Sequence, residues 1–323
     1  MLANSYRLNV FGFPGNPNAP NNHGLRDVRL AMKWVRENVA GFGGDVTRIT
    51  MMGQSAGAGM IDHYTYAFAD DPIASSFIML SGASEGYNGP VTPDRGEKTW
   101  LTLANNIGCA SSAEDDRLRR AAVLECMMEK PAQHIVDGMA MDNIQGGFEP
   151  YDDGVLVHAD HSNMTSARGS YLLGVANFEG GIHLPVWPNA PKFVIRALGH
   201  IVINCPTAER VNKALMEGHP TWRYRYFGEF PNLEATTSPP SGSWHGSDVS
   251  MMLHFAYFPS TNPASRSRFC LTRRPRKQSP TRPRKTAWAR TCAAPLPRSR
   301  RILLRACCRM AKDGLATILK GIH

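Results

Sequence analysis

The chain has 323 residues, 42% of them apolar, which is enough to form one large core or two smaller ones. No run of eighteen apolar residues occurs, which excludes a membrane-spanning helix. The net charge of +9 is unevenly spread: residues 259–323 hold 13 Arg and 4 Lys against Asp313 alone, so this stretch carries +16 and the rest carries −7. An acidic body is therefore followed by a strongly basic tail.

The first elements are predicted to be a strand, a loop and a helix. Residues 6–13 are apolar and aromatic, which predicts a strand, and residues 14–22 are rich in Pro, Asn and Gly, which predicts a loop. Apolar residues then recur at helical spacing over about 24–40, and the asparagines that end the loop can cap this helix.

Further along the chain, short apolar runs predict a parallel sheet. Residues 49–52 and 76–81 predict strands on either side of a helix at about 56–68. Residues 171–177 and 221–227 predict two more strands. Strands that alternate with helices over short links indicate an α/β fold, with a mostly parallel sheet and helices on both faces.

A G-x-S-x-G motif lies between the strand predicted at 49–52 and the helix that follows it. Ser55 is the serine of this motif, and in a strained strand-to-helix turn its hydroxyl would point out of the sheet. We expect Gly53 and Gly57 to be required, because a Cβ at either position would collide with neighbouring backbone. The N–H of Ala56 would lie at the positive end of a helix dipole, where a substrate oxyanion forms. So short a motif also arises by chance in a glycine-rich chain, so its flanking elements matter.

The residues around this motif resemble a known family. The segments FGGD at 42–45 and GQSAG at 53–57, with Ile49 between them, are similar to the serine signature of type-B carboxylesterases, the cholinesterase-like α/β-hydrolases. The stretches at 6–13 and 24–38 resemble the same family, and the resemblance is to its fungal members. It implies a partial α/β-hydrolase fold.

The resemblance implies roles for the residues of the motif. Ser55 would be the nucleophile, and Gly53, Gln54 and Gly57 would form the nucleophile elbow. Ala56 would donate its N–H to the oxyanion.

The resemblance also implies the other two members of a catalytic triad. Glu179 follows an apolar strand and precedes two glycines, which matches the family's acid; the residues alone favour an exposed loop carboxylate instead. The family pattern favours it over Asp152 and Asp153. His245 stands in an H-G-S-D context that matches the family's base, and the fold requires the order Ser, acid, His. His254 is expected to pack rather than to react.

The activity implied is hydrolysis of carboxylic esters through an acyl-enzyme. The substrate would be a neutral ester of a small molecule or a lipid, and neither a metal nor an organic cofactor is implied. A catalytically impaired fragment or a non-catalytic cholinesterase-like protein is the alternative, although all three triad positions are filled. The oligomeric state is left open.

The cysteines indicate whether the protein is found in an oxidising compartment, such as outside the cell. Residues 95–140 predict helices, and the resemblance implies a disulfide between Cys109 and Cys126 in this region. Such a bridge would stabilise the fold by about 3 kcal/mol, mainly by restricting the unfolded chain; two free thiols are the alternative. A disulfide favours a secreted protein, as in the family, although residues 1–20 lack the pattern of a signal peptide. Cys205 matches another family disulfide position, with its partner expected near the C-terminus.

Two departures from the family define the predicted domains. We assign residues 1–258 to an α/β-hydrolase domain and expect it to be incomplete at the N-terminus. Family members carry further strands ahead of the one at 6–13, together with a Gly-Gly motif that donates to the oxyanion hole. Loss of one such donor lowers the rate by about 10²–10³-fold.

The second departure is the basic Arg/Pro-rich tail at 259–323, which resembles nothing in the family. Its composition cannot bury enough apolar surface to order itself, so we expect it to be disordered or translated out of frame. A basic arm for nucleic acid or anionic surfaces is the alternative. We favour the frame shift and do not expect nucleic-acid binding; the hypothesis fails if neither other frame beyond codon 258 encodes a family-like C-terminus.

Overall fold

The structure is a computed structural model that describes residues 1–85, 89–141, 147–253 and 269–273. The described helices are α1 (Asn9–Gly12), α2 (His23–Asn38), α3 (Ala56–Ala67), α4 (Pro93–Asn106), α5 (Asp116–Glu129), α6 (Ala132–Met141), α7 (Lys192–Gly199), α8 (Cys205–Met216) and α9 (Val249–Met252). The strands are β1 (Thr50–Gln54), β2 (Ser76–Leu80), β3 (Ser170–Ala176), β4 (Thr221–Tyr226) and β5 (Phe269–Arg273).

The chain divides into two compact units. The helical unit contains Met1–Ile49, His63–Ile73 and the described part of residues 88–167. The sheet unit contains Thr50–Asp62 together with the described parts of residues 74–87 and 168–323.

The strand predicted at residues 6–13 is not formed. This segment turns into α1, where the Gly12 N–H donates to the Leu8 carbonyl at 3.1 Å and the Phe13 N–H donates to the Asn9 carbonyl at 2.7 Å. A strand needs a neighbouring strand for its backbone groups, and none of the described strands pairs with this segment. The turn satisfies those groups locally instead, so the prediction was wrong.

Helix α2 lies close to its predicted place, but its cap differs from the prediction. Asn22 occupies the N-cap position with a φ of +58° and makes no side-chain cap hydrogen bond. Its buried amide instead donates to the Tyr151 carbonyl at 2.7 Å and to Asp153 at 2.9 Å, and accepts from the Tyr151 N–H at 2.8 Å. The side chain therefore ties α2 to a loop 129 residues away rather than capping the helix.

The core of the helical unit lies where α4, α5 and α6 pack. Its buried members include Trp100, Leu103, Val123, Met127, Ile135 and Met139. A disulfide joins Cys109, just after α4, to Cys126 on α5. Cys205, in the sheet unit, is also disulfide-bonded, and the partner position that the resemblance implies for it lies outside the described residues.

The sheet unit is built on one sheet with the strand order β1-β2-β3-β4-β5. The first four strands are parallel, and β5 runs antiparallel to β4. The expected α/β fold with a mostly parallel sheet is confirmed. Gln54 lies opposite Leu80, Leu80 opposite Gly174, and Ala176 opposite Tyr226. The carboxyl ends of four strands therefore meet at one edge of the sheet, where ligands bind in open parallel sheets.

Strand β5 belongs to the tail for which the sequence predicts disorder or an out-of-frame origin. Within residues 259–323 the structure describes only Phe269–Arg273, which pair with β4 from Trp222 to Tyr226. The domain boundary at 258 stays a prediction. Among the described residues, no helix combines the length and the apolar character needed to cross a membrane.

Candidate active site

Ser55 occupies a sharp turn between the last residue of β1 and the first residue of α3. Its φ is +56°, a conformation that side chains rarely adopt. The turn is held to the sheet because the Ser55 N–H donates to the Leu80 carbonyl at 2.8 Å, and to the helix because the Gly59 N–H donates to the Ser55 carbonyl at 3.0 Å. The sequence thus places a hydroxyl at the carboxyl edge of the sheet, on a strained backbone.

Close approach of backbone to backbone explains one of the two glycines of the motif. A Cβ on Gly53 would lie 2.5 Å from the Gly57 carbonyl oxygen. A Cβ on Gly57, in contrast, would meet no described atom within 4 Å, so the steric requirement predicted for Gly57 was wrong. The second glycine that the turn requires is Gly82, just beyond β2, because a Cβ there would overlap the carbonyl oxygen of Ser55. The motif gives no sign of Gly82, which lies 27 residues beyond Ser55.

The structure brings Ser55, His245 and Glu179 together. The Oγ of Ser55 lies 2.7 Å from Nε2 of His245, and Nδ1 of His245 lies 2.7 Å from Oε2 of Glu179. Because a carboxylate only accepts hydrogen bonds, Nδ1 carries the proton in neutral His245 and Nε2 is left as an acceptor for the serine hydroxyl. In this orientation the lone pair of Nε2 faces Oγ of Ser55.

Glu179 is buried, with 3% of its surface exposed, and its second oxygen is also satisfied. Oε1 accepts from the Ser81 hydroxyl at 2.8 Å and from the Ala176 N–H at 2.5 Å. Ser81 directly follows β2, as Ser55 follows β1, and it too has a positive φ, +54°. Sequence reasoning missed Ser81, although a serine directly after a buried strand was a signal that it could have used.

The loop that carries His245 is held by hydrogen bonds of the two residues just before it. The Trp244 indole N–H donates to the Leu233 carbonyl at 2.6 Å, and the Ser243 carbonyl accepts from the Phe178 N–H at 2.9 Å. Beyond His245, Gly246 has a φ of +95°, a conformation that favours glycine. The imidazole is therefore positioned by backbone contacts as well as by Glu179.

Three further polar side chains lie near His245. The side-chain amide of Gln54 has its Nε2 3.2 Å from Nε2 of His245. Asp248 is fully buried and accepts from the Tyr224 hydroxyl at 2.5 Å; burial raises the pKa of Asp248, and the nearby charge of Glu179 acts in the same direction. Burial lowers the pKa of His183, and the charge of His245 also lowers it.

The geometry agrees with what the comparison with known proteins finds. Residues 2–194 match the model of the carboxylesterase family. The chain belongs to the carboxylesterase family. It is 28% identical over 292 residues to secreted lipase 5 of Gibberella zeae, which covers 81% of this chain and 52% of that protein. It is 32% identical over 265 residues to a chlorogenic acid esterase of Aspergillus niger, which covers 78% of this chain and 49% of that protein.

The match to a mammalian relative is shorter. The cholinesterase of Mus musculus is 34% identical over 192 residues, which covers 56% of this chain and 31% of that protein. The chain spans about half the length of the first two relatives.

Asp152 and Asp153, the alternatives to Glu179 as the acid, lie in the helical unit of this carboxylesterase-family chain. Asp153 accepts from the backbone N–H groups of Val155, Leu156 and Val157 as well as from Asn22. Burial acts to raise the pKa of Asp153, but these hydrogen bonds outweigh it and hold the pKa below its ordinary value. The Asp153 carboxylate thus stabilises the loop that follows it. His254 lies outside the described residues.

The described residues include no group of three or more His, Cys, Asp or Glu that could hold a metal ion. Ala56, the first residue of α3, is exposed beside Ser55, so its N–H is at the helix N-terminus.

Proposed function

We propose that this chain hydrolyses carboxylic esters through a Ser-His-Glu triad and an acyl-enzyme. The observation that carries the proposal is the continuous line of contacts from Ser55 Oγ through both ring nitrogens of His245 to Glu179, with 2.7 Å at each step. The buried carboxylate stabilises the imidazolium that forms during the reaction.

The steps follow from these contacts. As Oγ of Ser55 attacks the ester carbonyl, its proton moves to Nε2 of His245. The Ala56 N–H donates to the resulting oxyanion. His245 then gives the proton to the departing alcohol oxygen as the ester bond breaks, and a water deprotonated by His245 releases the acid from Ser55. Gly53 and Gln54 hold the elbow in which Ser55 sits.

The substrate proposed is an uncharged carboxylic ester. The relatives are named a lipase, a chlorogenic acid esterase and a cholinesterase, which fits ester hydrolysis and leaves both acid and alcohol parts to be found. We also propose that the protein is secreted, because disulfides involve Cys109, Cys126 and Cys205 and one relative is named a secreted lipase.

The test is covalent labelling of the purified chain with a fluorophosphonate, which reacts with a serine that a base activates. We expect wild type to be labelled, Ser55→Ala to be unlabelled, and Ser112→Ala, an exposed serine of the helical unit, to be labelled like wild type. A folded wild-type chain that is not labelled would identify it as a non-catalytic or impaired member of the family. A panel of p-nitrophenyl esters with different acyl lengths would then define the substrate of a labelled chain.

A further inference from the structure

The side chain of Gln54 shares an atom of His245 with the nucleophile. Its Nε2 lies 3.2 Å from Nε2 of His245, and Ser55 Oγ lies 2.7 Å from the same ring nitrogen. Because Nδ1 donates to Glu179, Nε2 of the neutral ring offers a single lone pair in the ring plane. Two donors, the Ser55 hydroxyl and the Gln54 amide, therefore converge on one acceptor.

The two protonation states of His245 require opposite groups from Gln54. Neutral His245 accepts at Nε2, so the amide NH₂ is the complementary group. Once Nε2 carries the serine proton it only donates, and the amide oxygen is then the complementary group. A half-turn of the amide exchanges its NH₂ and oxygen at nearly the same place, without gain or loss of a proton.

Gly246 leaves room on its side of the amide. Gly246 faces the amide, and even a Cβ added there would lie 3.5 Å from Nε2 of Gln54. The sequence places glycine at this point, next to the base, with a φ of +95°.

We propose that Gln54 is a positioning residue whose amide follows the proton on His245, donating to the neutral ring and accepting from the imidazolium. It holds the ring toward Ser55 in both states. This inference rests on the proposed function for its role in turnover, but the Gln54–His245 contact itself does not.

The charged groups that face His245 must be kept constant in any test. Glu179 binds Nδ1, Asp248 lies buried within electrostatic range of the ring, and His183 interacts with it electrostatically. Substitutions at Gln54 leave all three in place. Gln54→Glu keeps the shape and the acceptor but cannot donate once ionised, and Gln54→Met keeps the approximate volume and removes both functions.

The experiment is an NMR titration of the His245 ring nitrogens in the folded chain, assigned by loss of the signal in His245→Asn. In Gln54→Glu we expect the titration midpoint of His245 to rise by about one pH unit, because a carboxylate favours the imidazolium. In Gln54→Met we expect a smaller change of the midpoint, because the contacts of the amide with both states of the ring are lost. An unchanged midpoint in both variants would overturn the proposal.

The pH dependence of fluorophosphonate labelling gives the second readout. In Gln54→Glu, the acidic limb of the pH profile of the labelling rate should move by the same amount as the titration midpoint of His245. A merely structural role of Gln54 would instead lower the labelling rate at every pH without moving this limb. If wild type is not labelled but the midpoint shifts, the proposed function fails while the Gln54–His245 inference stands.

Discussion

At the scale of single residues, the elbow depends on glycines that differ in what surrounds them. A Cβ on Gly53 would press on the Gly57 carbonyl, and one on Gly82 would overlap the Ser55 carbonyl, whereas a Cβ on Gly57 would meet no described atom within 4 Å outside its own helix. The requirement for glycine therefore lies at Gly53, on β1, and at Gly82, just beyond β2, and not at Gly57 inside α3.

A matched pair of variants tests this account. Gly53→Ala should lose fluorophosphonate labelling and lower the free energy of unfolding by about 1–3 kcal/mol, the usual cost of overpacking. Gly57→Ala lies in α3, where Ala is favoured over Gly by up to about 1 kcal/mol, so it should be labelled like wild type and unfold at the same or higher denaturant concentration. Equal loss of labelling in both variants would contradict the steric explanation.

Ser81 gives a second prediction at this scale. Ser81→Ala removes one donor from the buried Glu179 carboxylate and leaves Oε1 with the Ala176 N–H. A hydrogen bond to a charged group is worth about 1.5 kcal/mol or more, so the labelling rate should fall about tenfold. Stopped-flow labelling would measure this, with Ser112→Ala as the control, and equal rates for Ser81→Ala and wild type would show that Ser81 does not support the acid.

At the scale of elements, one buried ion pair connects α3, the helix that begins just after Ser55, to its neighbours. Asp62 on α3 is fully buried and binds Arg210 on α8, and it accepts from the N–H and hydroxyl of Ser84 at 2.9 and 2.8 Å. The guanidinium of Arg210 lies 4.9 Å from the centre of the Tyr171 ring on β3. Burial acts to raise the pKa of Asp62, but the Arg210 charge and the Ser84 hydrogen bonds hold it below its ordinary value.

This pair predicts a stability change that depends on pH. Asp62→Asn leaves a buried cation without its carboxylate, which typically costs about 3–5 kcal/mol. Because the pKa of Asp62 is lower in the folded chain, its contribution is complete above the ordinary value of 3.8 and disappears as the pH falls below that value. Denaturant unfolding between pH 2 and 7 should show a smaller acid-dependent loss in the variant than in wild type.

The control for this prediction is an exposed pair. Asp45 and Arg48 interact at the surface, so Asp45→Asn should change stability little. The double variant Asp62→Leu/Arg210→Met should lose less stability than Asp62→Leu alone, since it does not leave Arg210 as a buried charge without Asp62. A double variant as unstable as Asp62→Leu would argue against the ion pair as the source.

The disulfide of the helical unit predicts a non-additive effect. Cys126→Ser should lower the free energy of unfolding by about 3 kcal/mol, the value for a closed loop of about 15 residues. Adding Cys109→Ser should cost little more, because one substitution already opens the loop. Calorimetry of the single and double variants measures this, and full additivity would mean that the bridge does not form in solution.

At the scale of the whole molecule, the sequence predicted what depends on local pattern and missed what depends on distant partners. The apolar runs placed β2 and β3 to within about a residue, and the resemblance placed the residues that meet at the carboxyl edge. The strand expected at 6–13 failed because a strand exists only beside another. Gly82 and Ser81 were missed because their roles depend on contacts with Ser55 and Glu179, which are distant in sequence, although the position of Ser81 directly after a strand was a signal.

The register of the sheet has a consequence for how the chain folds. The Ser55–His245 contact closes 190 residues of chain and the His245–Glu179 contact closes 66. Contacts of such long range require the closure of long loops, which slows folding, so we expect them to form late. On the proposed function, reactivity of Ser55 is therefore among the last properties that the chain acquires, and fluorophosphonate labelling would measure the fraction of molecules that have finished folding.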